Sequence, residues 1–125
     1  MKKLALLSFA LVSVAAQAVV LDDFSTGSNG FSISAGTSGQ ITPASVPGGS
    51  RFLFGQVTAN PFSQFLDANV TSGAFVVSNG FGTSSATIVG YGISSFSPPN
   101  TVTLFDLNTN LSGMGDRFRL NFLGN

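Results

Sequence analysis

Cysteine, histidine, glutamate and tryptophan are all absent from the 125 residues, and lysine occurs only at Lys2 and Lys3. Without cysteine there is no disulfide framework and no thiolate chemistry, and without cysteine and histidine no zinc site of the usual kind. A Ser-His-Asp triad and a Ser-Lys dyad are excluded beyond the first few residues for the same reason. Charge is scarce as well. After Lys3 the charged side chains are Asp22, Asp23, Asp67, Asp106 and Asp116 with Arg51, Arg117 and Arg119, far too few cations for a nucleic-acid-binding surface.

What is present divides at Ala18. Met1-Lys2-Lys3 is a positive head, Leu4 to Ala16 an apolar run broken by Ser8 and Ser13, and Ala16-Gln17-Ala18 a small-x-small site. This is the pattern of a removable bacterial export signal over 1–18, and the run is too short for a membrane anchor. The expected product is residues 19–125, secreted or at the cell surface, with no transmembrane segment. In that product Gly, Ser, Thr and Asn make up nearly half of the residues, yet phenylalanines recur from Phe24 to Phe122. Disordered chains are poor in aromatics, so a packed domain follows. The scarcity of helix formers and the wealth of β-branched, aromatic and turn residues predict an all-β fold.

Period-two alternation locates strands. Arg117–Phe122 alternates strictly, with Phe118, Leu120 and Phe122 on one face. Thr101–Phe105 does so with Val102 and Leu104 inward. In 51–58, Phe52 and Phe54 share one face and Leu53 and Val57 the other, so this strand is expected to lie centrally. Ala74–Ser78 and Ala86–Tyr91 are further strands; Val19–Phe24, Phe31–Ser34 and Gln40–Thr42 are weaker ones; Phe65–Val70 reads as a strand or a helical turn. The separators are Ser28-Asn29-Gly30, Pro47-Gly48-Gly49, Asn60-Pro61, Ser78-Asn79-Gly80, Ser97-Pro98-Pro99-Asn100 and Ser112-Gly113-Met114-Gly115, all turn chemistry. The two Ser-Asn-Gly-Phe tetrads read as two similar turns. Short strands at this spacing predict one antiparallel β-sandwich, jelly-roll-like.

Little chemistry remains. Asp67 with Asp106 or Asp116 is a carboxylate pair on paper, but Asp in turns usually accepts backbone hydrogen bonds, and no enzyme is expected. Asp106, Asn108 and Asn110 alternate oxygen ligands, and Asp116 follows a flexible link, which together make a candidate weak calcium site. The EF-hand pattern fails, because Leu111 stands in place of the glycine and Arg117 in place of the glutamate. Phe62, Phe65, Phe81 and Phe96 lie beside turns and are candidate ligand-stacking aromatics or caps on the core. Arg51, after Pro-Gly-Gly, is either a clamp tying a loop to carbonyls or an aspartate, or an ordinary exposed strand residue.

Val20-Leu21-Asp22-Asp23-Phe24-Ser25, then Pro47-Gly48-Gly49-Ser50-Arg51, then Asp116-Arg117-Phe118-Arg119-Leu120 resemble, in that order, bacterial exported proteins of the PEP-CTERM class. The resemblance implies a β-rich body at the cell surface or in the extracellular matrix of exopolysaccharide-producing bacteria. It also implies a Pro-Glu-Pro sorting tail, which does not occur before Asn125; the alternatives are lost downstream sequence, a broken gene or a tail-less relative, and the ending directly after the Arg117–Phe122 strand favours lost downstream sequence. The function anticipated is that of a non-enzymatic envelope or matrix protein whose partners are extracellular polysaccharide or other surface proteins. The alternatives are a carbohydrate-binding module and a calcium-stabilised adhesin domain.

Overall fold

The structure, a computed structural model, describes residues 20–71, 73–105 and 107. These form eight strands: β1 (Asn29–Ile33), β2 (Gly36–Pro43), β3 (Ser50–Ala59), β4 (Leu66–Thr71), β5 (Ala74–Asn79), β6 (Ser84–Tyr91), β7 (Ile93–Ser97) and β8 (Thr101–Leu104). One sheet has the order β1-β4-β5, a second β2-β3-β6, and β7-β8 is a two-stranded ribbon. Every pairing is antiparallel. The fold is all-β and sandwich-like, as the alternation and turn residues predicted.

Two apolar layers hold it together, and β3 contributes to both. Leu53, fully buried, packs with Phe31, Leu66 and Ala68 between the two sheets, flanked by Ile33, Val57, Phe75 and Val89. Phe52 and Phe54 point the other way and meet Ile93, Ile41 and Phe96 under the β7-β8 ribbon. Their rings lie with Phe96 at centroid separations of 5.5 and 5.8 Å, the range of favourable aromatic pairs. Phe96 also lies over Gly39, where a Cβ would meet its ring. The central position expected for the 51–58 strand is thus observed, and its physical basis is the double-sided apolar pattern.

Several local readings are corrected. Residues 20–24 form no strand; they are held by side-chain bonds described below. Asn29 and Gly30 open β1 instead of turning, with Gly30 N–H donating to Gln40 Oε1 at 3.2 Å. Asn79 ends β5, and Gly80 begins a crossing between sheets, so the two tetrads are not equivalent turns. Phe65–Val70 resolves to a strand from Leu66. Val102 and Leu104 are exposed, not inward: they pair with Phe96 and Ile93 of β7, but it is β7 that covers the Phe52–Phe54 face. The Arg117–Phe122 strand and the Ser112–Gly115 turn lie outside the described residues. Among the described residues no helix is long and apolar enough to cross a membrane.

Candidate functional site

The titratable side chains among the described residues are Asp22, Asp23, Asp67, Arg51 and Tyr91, and three of them converge. Arg51 opens β3 on the same face as Leu53 and is completely buried. Its fork grips Asp22 through Nε to Oδ2 and Nη2 to Oδ1, both at 2.6 Å. Nη1 donates to the carbonyls of Thr26 at 3.0 Å and Gly27 at 2.8 Å. Tyr91 Oη donates to Asp22 Oδ2 at 2.9 Å, and the Phe24 amide to Oδ1 at 2.8 Å. The guanidinium lies 5.0 Å from the centroid of the Phe24 ring, within cation–π range. That ring stacks on Phe75.

The arrangement is a clamp. It fastens residues 22–27, which have no strand partner, onto the end of the sandwich. Burial pushes the Asp22 carboxyl up, but hydrogen bonds from Arg51, the Phe24 amide and Tyr91, with the Arg51 charge, outweigh it and hold the carboxyl below its ordinary range. The hydrogen bond to Asp22 raises Arg51 further against its own burial. Burial, then Asp22, raises the Tyr91 phenol well above its ordinary value. Both carboxylate oxygens are occupied, and the Asp22 side chain is only 4 % exposed. A general base must reach a substrate proton; this carboxylate reaches none.

The second arrangement is aromatic. Phe62 is 57 % exposed and Phe81 81 %, with ring centroids 5.5 Å apart and planes at 35°. Phe65, on the Phe62 loop, is also exposed. The two turns that carry them are bonded to each other. Asn60 Nδ2 donates to the Ser34 and Gln64 carbonyls, both at 2.6 Å, while its Oδ1 accepts from the Gln64 amide and Thr83 Oγ1. Gly80 N–H donates to the Phe65 carbonyl and Asn79 Nδ2 to that of Thr83. Gly82 has positive φ (72°) and lies under the Phe62 ring, so a side chain there would be both strained and obstructed.

Of the four sequence-selected aromatics, the structure joins Phe62 and Phe81, keeps Phe65 near them in the chain, and removes Phe96 to the apolar layer under the ribbon. The calcium candidates Asp106, Asn108, Asn110 and Asp116 lie outside the described residues, as do the carboxylate partners proposed for Asp67. Among the described residues no group of three or more His, Cys, Asp or Glu side chains is placed to hold a metal. Two surface depressions among the described residues are shallow, one lined by Ser28, Asn69, Thr71 and Val76, the other by Ser34, Thr58, Asn60 and Ser63. Neither gathers titratable groups. No family model, no curated protein and no solved structure matches the chain.

Proposed function

We propose that this chain is an exported, non-catalytic β-sandwich, jelly-roll-like, of a bacterial envelope or extracellular matrix, and that it meets its partner through the Phe62–Phe81 tip. The observation that carries the reading is the exposure of two touching phenyl rings on turns that are hydrogen-bonded into a fixed platform. Exposed aromatics on ordered loops present ring faces to a ligand without an ordering cost. The partner is a neutral surface, extracellular polysaccharide first, because ring faces stack on the C–H faces of sugars and no charged side chain lies in either turn. The clamp supports the non-catalytic part of the reading, since its donors and acceptors are turned to each other.

The test has two arms. Protein recovered from the periplasm or medium of a bacterial host is expected to begin at Val19 by intact mass; uncleaved Met1 protein in the membrane fraction would sink the export reading. Retention on insoluble or immobilised neutral polysaccharide is expected to fall at least ~10-fold in Phe81→Ala, about 1.4 kcal/mol, with a melting temperature within a few degrees of the parent. Equal retention of parent and variant on every polysaccharide would remove the tip from the proposal. Calcium forms a third comparison: a calcium-specific rise in melting temperature, lost in Asp106→Ala, would favour the adhesin reading instead.

A further inference from the structure

Among the described residues β5 is the edge of its sheet, and its ladder with β4 fixes which of its backbone groups face outward. A two-residue connection joins Thr71 to Ala74, which are partners in the β4–β5 ladder. Such a loop closes on a hydrogen-bonded pair, and hydrogen-bonded and non-hydrogen-bonded pairs then alternate along an antiparallel ladder. Ala74, Val76 and Ser78 therefore direct N–H and C=O towards β4. Phe75, Val77 and Asn79 direct theirs away from it. The far end of the ladder agrees: Gly80 N–H donates to the Phe65 carbonyl at 2.9 Å, as the same parity requires.

The outward edge is unguarded. Ala-Phe-Val-Val-Ser-Asn contains no charge or proline and pairs with β4 without a register shift, so it lacks three devices by which edge strands resist pairing. The other edges of the two sheets differ. Gly30 of β1 spends its amide on Gln40. β2 ends in Pro43 and is overlaid at Gly39 by Phe96. β6 meets β3 across the register shift between Val57 and Ala59, an irregularity of that ladder which increases the local twist. On β5, Val76 is 52 % exposed and Val77 45 %, although Val77 shares its face with the core residue Phe75.

We propose that β5 pairs antiparallel with β5 of a second copy, about a two-fold axis at Val77, joining two sheets into one of six strands in the order β1-β4-β5-β5-β4-β1. In this register Val77 faces Val77 and Phe75 faces Asn79. All three residues then use their outward groups, with two hydrogen bonds per pair and six in all. A register centred on Val76 forms only four, because Val76 faces β4. The Val77 register also brings the two half-exposed inward valines together at the junction. Charge favours a copy of the same strand, since neither partner brings a charge to a strand that offers none in return. One six-residue strand pair is small beside the ~1,200–2,000 Å² of a stable interface, so the dimer is a weak, concentration-dependent one.

The absence of cysteine makes the register directly testable. In a hydrogen-bonded antiparallel pair the Cα atoms are ~5.5 Å apart, within disulfide range. Val77→Cys is expected to form a covalent dimer under mild oxidation, at least ~10-fold faster than Ser84→Cys on the exposed part of β6. In sedimentation velocity the parent is expected to shift from monomer towards dimer between ~10 µM and ~1 mM, a range suited to weak pairing. Val77→Pro, which removes only an outward amide, and Val77→Lys, which opposes two charges, are each expected to raise the dissociation constant at least ~10-fold. The idea is overturned by a monomer throughout that range, by crosslinking of Ser84→Cys at the rate of Val77→Cys, or by a dimer that Phe81→Ala rather than Val77→Lys disrupts. Crosslinking needs only a folded Val77→Cys protein, so a Val77→Pro chain that fails to fold leaves the proposal falsifiable.

Discussion

A single arginine organises the end of this domain that carries the N-terminal segment. Breaking one side of a buried ion pair leaves the other charge uncompensated, which typically costs ~3–5 kcal/mol. Arg51→Lys keeps the charge but loses the planar fork that reaches Asp22 twice and two carbonyls at once. We expect it to lose about 2 kcal/mol or more in urea melts, and an unchanged midpoint would reject the clamp as a source of stability. The pH dependence follows from the directions of the shifts. The Asp22 carboxyl is lowered in the folded state, so its contribution is present above the ordinary carboxylate range and is lost as pH falls through the lower folded value. Tyr91 is raised, so its contribution is present below the ordinary phenol range and is lost at higher pH. Stability is thus expected to be flat between ~pH 5 and ~pH 9 and to fall on both sides. Asp22→Asn should flatten the acid limb and Tyr91→Phe the alkaline one; limbs unchanged in both variants would contradict this assignment.

The sequence left Arg51 open between a clamp and an exposed strand residue, and the structure decides for the clamp; the pattern of its own strand gives the reason. Phe52 and Phe54 on one face, with Leu53 and Val57 on the other, leave no solvent face at the start of β3 for a charge to occupy. Its partners were less legible. Asp22 and Tyr91 are 29 and 69 residues away from the groups they bond, and nothing in local sequence encodes such a pairing.

At the scale of elements, the double-sided strand gives the sharpest contrast. Leu53→Ala removes a fully buried side chain between the two sheets and is expected to cost about 2–5 kcal/mol. Ile88→Ala, at an exposed position on β6, is expected to cost under ~1 kcal/mol. Comparable losses in chemical denaturation would mean that the Leu53 layer is not the main core. Strands with strong alternation or long apolar runs were readable: β3, β5 and β6 are where the pattern put them. β7 was not, because Ile-Ser-Ser-Phe-Ser has only two apolar positions, three apart, with a bulge between Ile93 and Ser95 that brings both to one side. The Asn-Gly signals misled for a related reason. A hairpin cue describes a local backbone preference, whereas Gly30 is drawn into a strand by its pairing with Asn69 and its bond to Gln40. The aromatic tip was half legible: proximity to turns identified Phe62 and Phe81, but it equally selected Phe96, whose strand folds over the Phe52–Phe54 face.

For the molecule as a whole, the clamp has a consequence in time. Asp22 precedes Arg51 and Tyr91 in the chain and must wait for both β3 and β6 before its charge is compensated. Contacts of such sequence separation carry a loop-closure cost before they return any stabilisation, so the 22–27 segment is expected to dock after the sheets have formed. A group that acquires its interactions late leaves the folding rate nearly unchanged when altered and accelerates unfolding instead. Stopped-flow measurements on Asp22→Asn should therefore show an unfolding limb raised by ~10-fold or more and a refolding limb close to the parent's. A slowed refolding limb would place Asp22 in the nucleus. If the order is as described, the lifetime of the native state is set by how seldom a six-residue strap lets go, and a protein with no disulfide would owe its persistence to the slow release of one carboxylate.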